Sequence, residues 1–257
     1  MLFRSQLLVE GLAPEESIGR ILAELGVLER ISVSKEDRGY VFPDFAVQKP
    51  PQYQGVQWRI EQLKRMFPAD AAGLERYWRD YLRFLKVMVL GRKLETAAGV
   101  RKAILTIQLY ATLLPLFPKK DWSAERLMAG YFQSERLRCV FISILADFFI
   151  RPSEFLGLGV FALNHETFYD CRLPKWLAPN TEQTYLYNVH GGISTLANAL
   201  VERILELGGK VYTTCTVKKI KVINNRVTAV VDACGVVYPA DVVVASGGAQ
   251  ETFFDLV

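Results

Sequence analysis

The chain has few of the residues that metal sites and nucleophilic catalytic sites need. It contains two histidines, His165 and His190, and four cysteines, and no two cysteines form a C-x-x-C pair. A zinc site requires several such ligands close together, so we predict no metal. The absence of a G-x-S-x-G motif argues against a serine hydrolase. We interpret the cysteines as buried, reduced thiols of a cytoplasmic protein.

Long hydrophobic runs are also absent. The longest apolar run, residues 103–117, is shorter than the roughly 20 residues that a membrane-crossing helix needs. The first nine residues are too short for the apolar region and cleavage site of a signal peptide. Charge is nearly balanced at +4, and no nucleic-acid-binding motif is present, so we predict no nucleic-acid partner.

The most regular pattern lies in residues 188–249. It begins with apolar residues at the spacing of one helical stripe, which are Ile193, Leu196, Ala197, Leu200, Val201, Ile204 and Leu207. Ser194 is a candidate N-cap, and Gly208-Gly209 provides a left-handed stop. The pattern predicts a helix between these two points.

Extended segments follow this helix. Asn224-Asn225 is a turn signal, because asparagine tolerates positive φ, and 233–235 is a second turn. The segments rich in β-branched residues between these turns predict a β-meander, with strands at 210–214, 217–223, 226–231 and 236–238.

Residues 242–245 carry apolar side chains on both faces. Such a segment is typical of a parallel strand that is buried under helices on both sides. It ends in Ser246-Gly247-Gly248, where small residues let a ligand approach the backbone. Because ligands of open α/β sheets bind at the carboxyl ends of the strands, we expect a binding site here.

This order of elements resembles the FAD-dependent oxidoreductases of the phytoene desaturase, carotenoid isomerase and retinol saturase group. The resemblance implies FAD as the cofactor. In that group a Gly-Gly pair opens the helix, a valine meets the adenine through its backbone, and small residues after the buried strand approach the dinucleotide. The implied cofactor-binding residues are Gly191, Gly192, Val217, Ala245, Ser246 and Gly247.

Two short segments depart from the group. Asn188-Val189 stands where Tyr-Pro is frequent, and Gly248-Ala249 replaces a common Ala-Asp-Pro ending. The cofactor assignment is unaffected by these departures, whereas the subfamily stays open.

The N-terminal part carries a second similarity to the same group. Residues 11–27 predict a helix at 18–25 closed by Gly26, and strand candidates follow at 28–33 and 39–44. These segments are similar to those that follow the first nucleotide-binding unit in the group. The G-x-G-x-x-G turn of a flavin-binding Rossmann unit is absent, however. We therefore expect an internal fragment, inactive alone, of a longer enzyme; a chain that has lost its cofactor is the alternative.

Residues 45–175 predict a helical insertion. One helix is expected to end at Pro68, with Asp70 as the cap of the next. Between residues 59 and 102 there are 11 Lys/Arg against 5 Asp/Glu, and one side of the second helix carries Arg76, Arg79, Arg83 and Lys86. A basic amphipathic helix suits an anionic membrane surface, which we assign to residues 74–117, with a solvated basic face as the alternative.

Two further segments of the insertion, 103–117 and 140–150, are apolar nearly all round. We expect them to form helices that are buried or face an apolar ligand. Asp147 is expected to pair with Arg136, Arg138 or Arg151 rather than to act as a base. Residues 156–163 could line a tunnel, although ordinary core is favoured.

These observations predict a mixed α/β (α+β) protein. A partial FAD-binding Rossmann-like domain with a β-meander would comprise 1–44 and 176–257, and the helical substrate- or membrane-associated insertion would comprise 45–175. The resemblance implies oxidoreductase chemistry at carbon–carbon bonds of a lipophilic isoprenoid or carotenoid-like substrate. Because the flavin carries that chemistry, no catalytic residue is predicted. The alternatives are a non-catalytic lipid-binding or membrane-docking module and a flavin amine oxidase-like enzyme. We expect a cytoplasmic location, with peripheral attachment to the inner membrane face as an option.

Overall fold

The computed structural model describes residues 8–177 and 185–257, in which the chain forms two compact units. The first unit is Met1–Leu200 and the second is Val201–Val257. Helices and small antiparallel sheets alternate along the chain, which confirms the mixed α/β class. The strands and helices are β1 (Leu8–Glu10), α1 (Ser17–Glu24), β2 (Val33–Glu36), β3 (Tyr40–Val41), β4 (Ala46–Val47), α2 (Trp58–Met66), α3 (Ala71–Glu95), α4 (Gly99–Leu113), α5 (Ala124–Tyr131), α6 (Glu135–Ile142), α7 (Gly159–Leu163), β5 (Leu186–Val189), α8 (Ile193–Glu206), β6 (Val217–Ile223), β7 (Arg226–Asp232) and β8 (Val237–Pro239).

A three-stranded antiparallel sheet in the first unit has the order β1-β5-β2, so β5 pairs on both sides. Tyr187 of β5 lies opposite Val9, and Val189 lies opposite Val33. These residues form a small core with Leu22 of α1 and Ala199 of α8. Burial of one apolar face against helices holds the end of β5, and therefore the loop into α8, in place.

The larger core of the first unit lies among helices α2, α3, α5, α6 and α7. Residues 45–175 are largely helical, as predicted. Aromatic rings fill it: Tyr77 of α3 packs against Phe132, Phe141 and Phe161 at centroid distances of 5.9, 4.4 and 5.1 Å. Gly73 lets α3 approach α5, because a Cβ there would lie 2.1 Å from the Tyr131 carbonyl oxygen. Residues 156–163 contribute to this core through α7, as favoured from the sequence.

The β-meander of the second unit is confirmed, with the order β6-β7-β8. Asn224 and Asn225 form the first turn with φ of 51° and 58°. Gly235, with φ of 82°, lies in the second turn. The ends of α1 and α8 also match the predictions, since Gly26 and Gly208 follow the last helical turns with φ of 67° and 81°.

Three predicted strands are wrong. Residues 28–30 form a 3-10 turn, and the strand begins only at Val33. Neither 210–214 nor 242–245 forms a strand. Val242 and Val244 are 78 % and 93 % exposed rather than buried. The physical reason is that a strand requires a hydrogen-bonded partner, and no described strand pairs with either segment.

Several side-chain and helix predictions are also wrong. Ser194 lies inside α8, which begins at Ile193. The Asp70 carboxylate does not cap α3; it accepts hydrogen bonds from the Gln133 and Ser134 N–H groups at 2.7 and 3.0 Å. By accepting both bonds, the Asp70 carboxylate satisfies two backbone donors of a loop that is distant in sequence. The spacing of residues in the sequence does not reveal such a partner.

The apolar segments 103–117 and 140–150 are not buried throughout. The second breaks after α6 into a 3-10 turn that ends at Phe149, which has φ of 53° and is exposed. Asp147 lies in this exposed turn and forms no ion pair in the described part of the chain. All four cysteines, each within the described ranges, are free, but none is fully buried as predicted: Cys139 and Cys171 are half-buried, and Cys215 and Cys234 are exposed.

Candidate functional site

The predicted Gly191-Gly192 pair forms the turn between β5 and α8. Both residues have positive φ, 80° and 86°, which side chains other than glycine rarely adopt. The Gly192 N–H donates to the Val189 carbonyl at 2.9 Å, and the Thr195 N–H donates to the Gly192 carbonyl at 2.9 Å. The 14-residue helix α8 therefore begins directly after two glycines, and its first N–H groups lie next to this turn. Such a helix start attracts anionic groups, including phosphate.

His190, the ring beside this pair, has a structural role. Its N–H donates to the Ser32 carbonyl at 2.9 Å, and its Nδ1 lies 3.2 Å from Ser32 Oγ. These bonds tie the glycine turn to the residue before β2. An exposed imidazole held in this way positions a loop and is a poor candidate for proton transfer.

Val217 is the first residue of β6, at the edge of the meander. The Thr216 carbonyl accepts a hydrogen bond from the Ala233 N–H at 2.8 Å, so it points toward β7. The two polar groups of one trans peptide point in opposite directions. The Val217 N–H therefore points away from β7, toward an edge that pairs with no other described strand.

The small-residue tip, residues 245–247, is exposed in the second unit. A Cβ on Gly247 would meet only the Glu251 Oε2 atom at 3.8 Å, and one on Gly248 would meet nothing within 4 Å. Packing within the described chain therefore does not require glycine at either position. The next turn, Glu251–Leu256, packs against β6, and its Thr252 N–H donates to the Gly248 carbonyl at 2.9 Å.

The predicted cofactor-binding residues are divided between the two units, and each unit is described by itself. Gly191 and Gly192 belong to the first unit, whereas Val217, Ala245, Ser246 and Gly247 belong to the second. A dinucleotide needs backbone donors for its phosphates, a hydrogen-bonding edge for its adenine and small residues where it touches the chain. In the first unit, the start of α8 offers backbone donors. In the second unit, the Val217 N–H offers a hydrogen-bonding group and the tip offers small residues.

Asp232 is a site feature that sequence reasoning missed. Its Oδ1 accepts from the Cys234 and Val236 N–H groups, both at 2.9 Å, and its Oδ2 accepts from the Tyr238 hydroxyl at 3.0 Å. The bond from the Val236 N–H, with the others, holds the pKa of this carboxyl below its usual value. An aspartate that precedes a glycine-containing turn is a known turn signal, so the sequence did contain a clue.

A second missed feature is a fully buried ion pair in the helical core. Arg59 donates from Nε and Nη2 to the two oxygens of Glu166, at 3.0 and 2.7 Å. Its guanidinium also lies 4.0 Å from the centre of the Tyr169 ring. Burial lowers the pKa of Arg59 and the Glu166 carboxylate raises it, with a net shift upward. The two residues are 107 positions apart, and no local pattern links them.

His165 lies beside this core and is also buried. Its ring meets Phe168 edge-on at a centroid distance of 5.0 Å, and its Nδ1 has no hydrogen-bond partner in the described chain. Burial, together with the charge of Arg38, lowers the pKa of His165 to about 3. The imidazole is therefore neutral at physiological pH.

Both buried groups lie in the first unit, and their described contacts are with residues other than the predicted cofactor-binding ones. Among residues 8–177 and 185–257, no cluster of three His, Cys, Asp or Glu side chains could hold a metal ion. No helix in the same ranges is long and apolar enough to cross a membrane.

A family model described as flavin containing amine oxidoreductase matches residues 16–249. No curated protein matches the chain. The matched range includes every residue of the predicted cofactor site and the whole helical insertion.

Proposed function

The chain belongs to the flavin-containing amine oxidoreductase family, with FAD as its cofactor, and within that family we propose that it acts on carbon–carbon bonds of a lipophilic isoprenoid or carotenoid-like substrate. The reaction class is desaturation, saturation or isomerisation of a double bond by the full-length enzyme. When bound, FAD supplies the acceptor or donor of the hydride equivalent.

One observation carries the substrate class: the ordered elements of 188–249 resemble the phytoene desaturase group. The glycine turn, α8, its glycine stop and the meander all occur in the structure in the order that the group shows. The segment 11–27, with its helix α1, is similar to the same group. Two separate similarities in the correct order support this branch of the family.

We also propose roles for the cofactor-binding residues. The Val217 N–H donates a hydrogen bond to the adenine, because it points toward the open edge of β6. Ala245, Ser246 and Gly247 let the dinucleotide approach the backbone. Gly191 and Gly192 set the start of α8, where N–H groups face negative charge. We assign these residues to orienting the cofactor and assign no proton transfer to them.

Replacement of Val217 by proline tests the adenine contact. Val217→Pro removes the N–H that points away from β7, and the first residue of an edge strand is a position that tolerates proline. We expect the affinity for FAD, measured by fluorescence titration of the full-length protein, to fall about fivefold, since a hydrogen bond contributes on the order of 1 kcal/mol.

The matched control is Val217→Ala, which shortens the side chain and keeps the N–H. FAD affinity in Val217→Ala should stay near the wild-type value. Equal affinities in the proline and alanine variants, with unchanged circular dichroism, would show that the Val217 N–H makes no contact with the cofactor.

Product analysis tests the substrate class. We expect the full-length, FAD-loaded protein to convert a linear isoprenoid polyene, with a product that differs by two hydrogens or by double-bond geometry, resolved by mass and absorption spectra. A simple primary amine should give no aldehyde. Loss of the visible flavin spectrum in the full-length protein would instead support a non-catalytic lipid-binding module.

Amine oxidation is the second candidate, because the description of the matched family names amines, although that match does not favour it over the isoprenoid assignment. The same product analysis separates the two. Aldehyde and hydrogen peroxide formed from an amine, without change in the polyene, would replace the isoprenoid assignment.

A further inference from the structure

The turn that joins β7 to β8 is held by the side chain of its first residue. Asp232 Oδ1 accepts hydrogen bonds from the Cys234 and Val236 N–H groups, both at 2.9 Å. The Gly235 N–H donates to the Asp232 carbonyl at 3.0 Å. An aspartate that accepts from the backbone two residues further on forms an Asx turn. One carboxylate therefore helps to fix the conformation of the whole turn.

The carboxylate of Asp232 is itself held in place. The residue is only 8 % exposed, and its Oδ2 accepts from the Tyr238 hydroxyl at 3.0 Å. The Cys215 thiol, which precedes β6, donates to the same oxygen at 3.7 Å. Hydrogen bonds to an ionised acceptor are roughly twice as strong as neutral ones. The side chain thus connects all three strands at one end of the meander.

The same turn sets the direction of the peptide between Thr216 and Val217. Ala233, the second residue of the turn, donates its N–H to the Thr216 carbonyl at 2.8 Å. The pairing of β6 with β7 shifts register between Val217 and Lys219, and a shift of this kind disrupts the ladder locally. On the other side, Thr214 has φ of 54° and belongs to no strand. The bond from Ala233 is therefore the ladder contact that orients this peptide.

We infer that Asp232 is a positioning residue for the adenine of FAD, an inference that rests on the adenine contact proposed for Val217. The carboxylate fixes the turn, the turn fixes the Ala233 N–H, and that group orients the peptide whose other polar group is the Val217 N–H. Both oxygens of Asp232 are occupied by bonds within the second unit, so the carboxylate acts through the turn.

The energetic reason lies in the cost of ordering the backbone on binding. The free energy needed to fix one mobile backbone residue is similar in size to the net contribution of one hydrogen bond. A Val217 N–H that had to be oriented by the cofactor would therefore contribute little affinity. An orientation fixed in advance by Asp232 lets the same N–H favour flavins that carry adenine.

Replacement of Asp232 by alanine tests this role in the full-length protein. Asp232→Ala removes the acceptor for the Cys234 and Val236 N–H groups. We expect the affinity for FAD, measured by fluorescence titration, to fall about fivefold, as for Val217→Pro. The affinity for FMN, which lacks the adenine, should stay within about twofold of the wild-type value, because the affected contact is absent from that ligand.

Two matched variants separate the turn from general loosening of the meander. Asp232→Asn keeps an oxygen that can accept from both N–H groups, so it should retain FAD affinity close to the wild-type value. Thr228→Val removes a different bond between a side chain and the backbone of the same meander, from Thr228 Oγ1 to the Lys221 carbonyl at 3.3 Å. It should leave the affinity for FAD unchanged.

A double variant shows whether Asp232 acts through Val217. Addition of Asp232→Ala to Val217→Pro should weaken FAD binding no further than Val217→Pro alone, since both changes remove one contact. Multiplied losses, about 25-fold in the double variant, would mean that the two residues act independently and would overturn the inference.

The remaining contrary outcomes can be told apart. Wild-type FAD affinity in Asp232→Ala, with weaker binding in Val217→Pro, would refute the positioning role and leave the adenine contact standing. Equal losses for FAD and FMN in Asp232→Ala would show general damage to the second unit and would also refute that role. Wild-type FAD affinity in Val217→Pro would refute the adenine contact, and with it this inference.

Discussion

Glu166→Gln is expected to lower the free energy of unfolding by about 3–5 kcal/mol, the usual cost of removing one partner of a buried ion pair. The substitution keeps the shape of the side chain but leaves the Arg59 guanidinium without a counter-charge, and both side chains are buried. Urea denaturation followed by tryptophan fluorescence measures the loss, since Trp58 is buried next to Arg59.

A matched control distinguishes the effect of removing a buried charge partner from the effect of removing an exposed one. Glu15→Gln removes the partner of Lys175 in an exposed pair at 2.8 Å, where the expected loss is at most about 1 kcal/mol. The double variant Arg59→Met with Glu166→Leu removes both charges and should recover most of the stability lost in Glu166→Gln. If Glu166→Gln were no less stable than Glu15→Gln, the pair would contribute nothing to the core.

Stability is expected to fall on acidification because of His165. In the unfolded chain its pKa is 6.5, and in the folded chain the pKa is about 3. Between these values the unfolded state binds a proton that the folded state does not, so stability falls as the pH falls through 6.5 and continues to fall until about pH 3. The contribution is about 1.4 kcal/mol per pH unit, or about 2 kcal/mol at pH 5.

The measurement is a comparison of unfolding free energies at pH 7 and pH 5. His165→Gln should lose about 2 kcal/mol less on acidification than the wild type, because the titrating group is gone. His190→Gln, which removes the other imidazole of the chain at an exposed position, is the matched control. Identical pH dependence in wild type and His165→Gln would mean that the buried ring titrates normally.

Local sequence patterns correctly predicted the elements that depend on contacts between residues close together in the sequence. Helix α8 follows from its apolar stripe, and its end follows from Gly208. The meander follows from Asn224-Asn225 and the turn at Gly235. In each case the relevant contacts join residues a few positions apart, and so the sequence alone contains them.

Long-range partners explain the failures. An apolar helix such as α4 is expected to be buried, but its own sequence does not determine how many other elements pack against it. The segment 242–245 has the composition of a buried strand, yet no described strand lies beside it. Arg59 and Glu166 meet only because five helices and their loops fold around one core.

The candidate site shows the same division. The family motif identified Gly191 and Gly192, and the structure supplies the reason for glycine there in two positive φ angles. The direction of the Val217 N–H was not predictable, because it depends on which residue of the neighbouring chain segment bonds to Thr216. Register between strands is a tertiary property, whereas strand propensity is a local one.

The exposed edge of β6 has a consequence for how the protein behaves at high concentration. An unpaired strand edge can recruit the same edge of another molecule and so begin aggregation. Lys218, Lys219 and Lys221 are all exposed along β6, and two identical edges would bring these ammonium groups together. Electrostatic repulsion between these lysines therefore disfavours the growth of an intermolecular sheet. The same charges do not prevent a small ligand from reaching the edge.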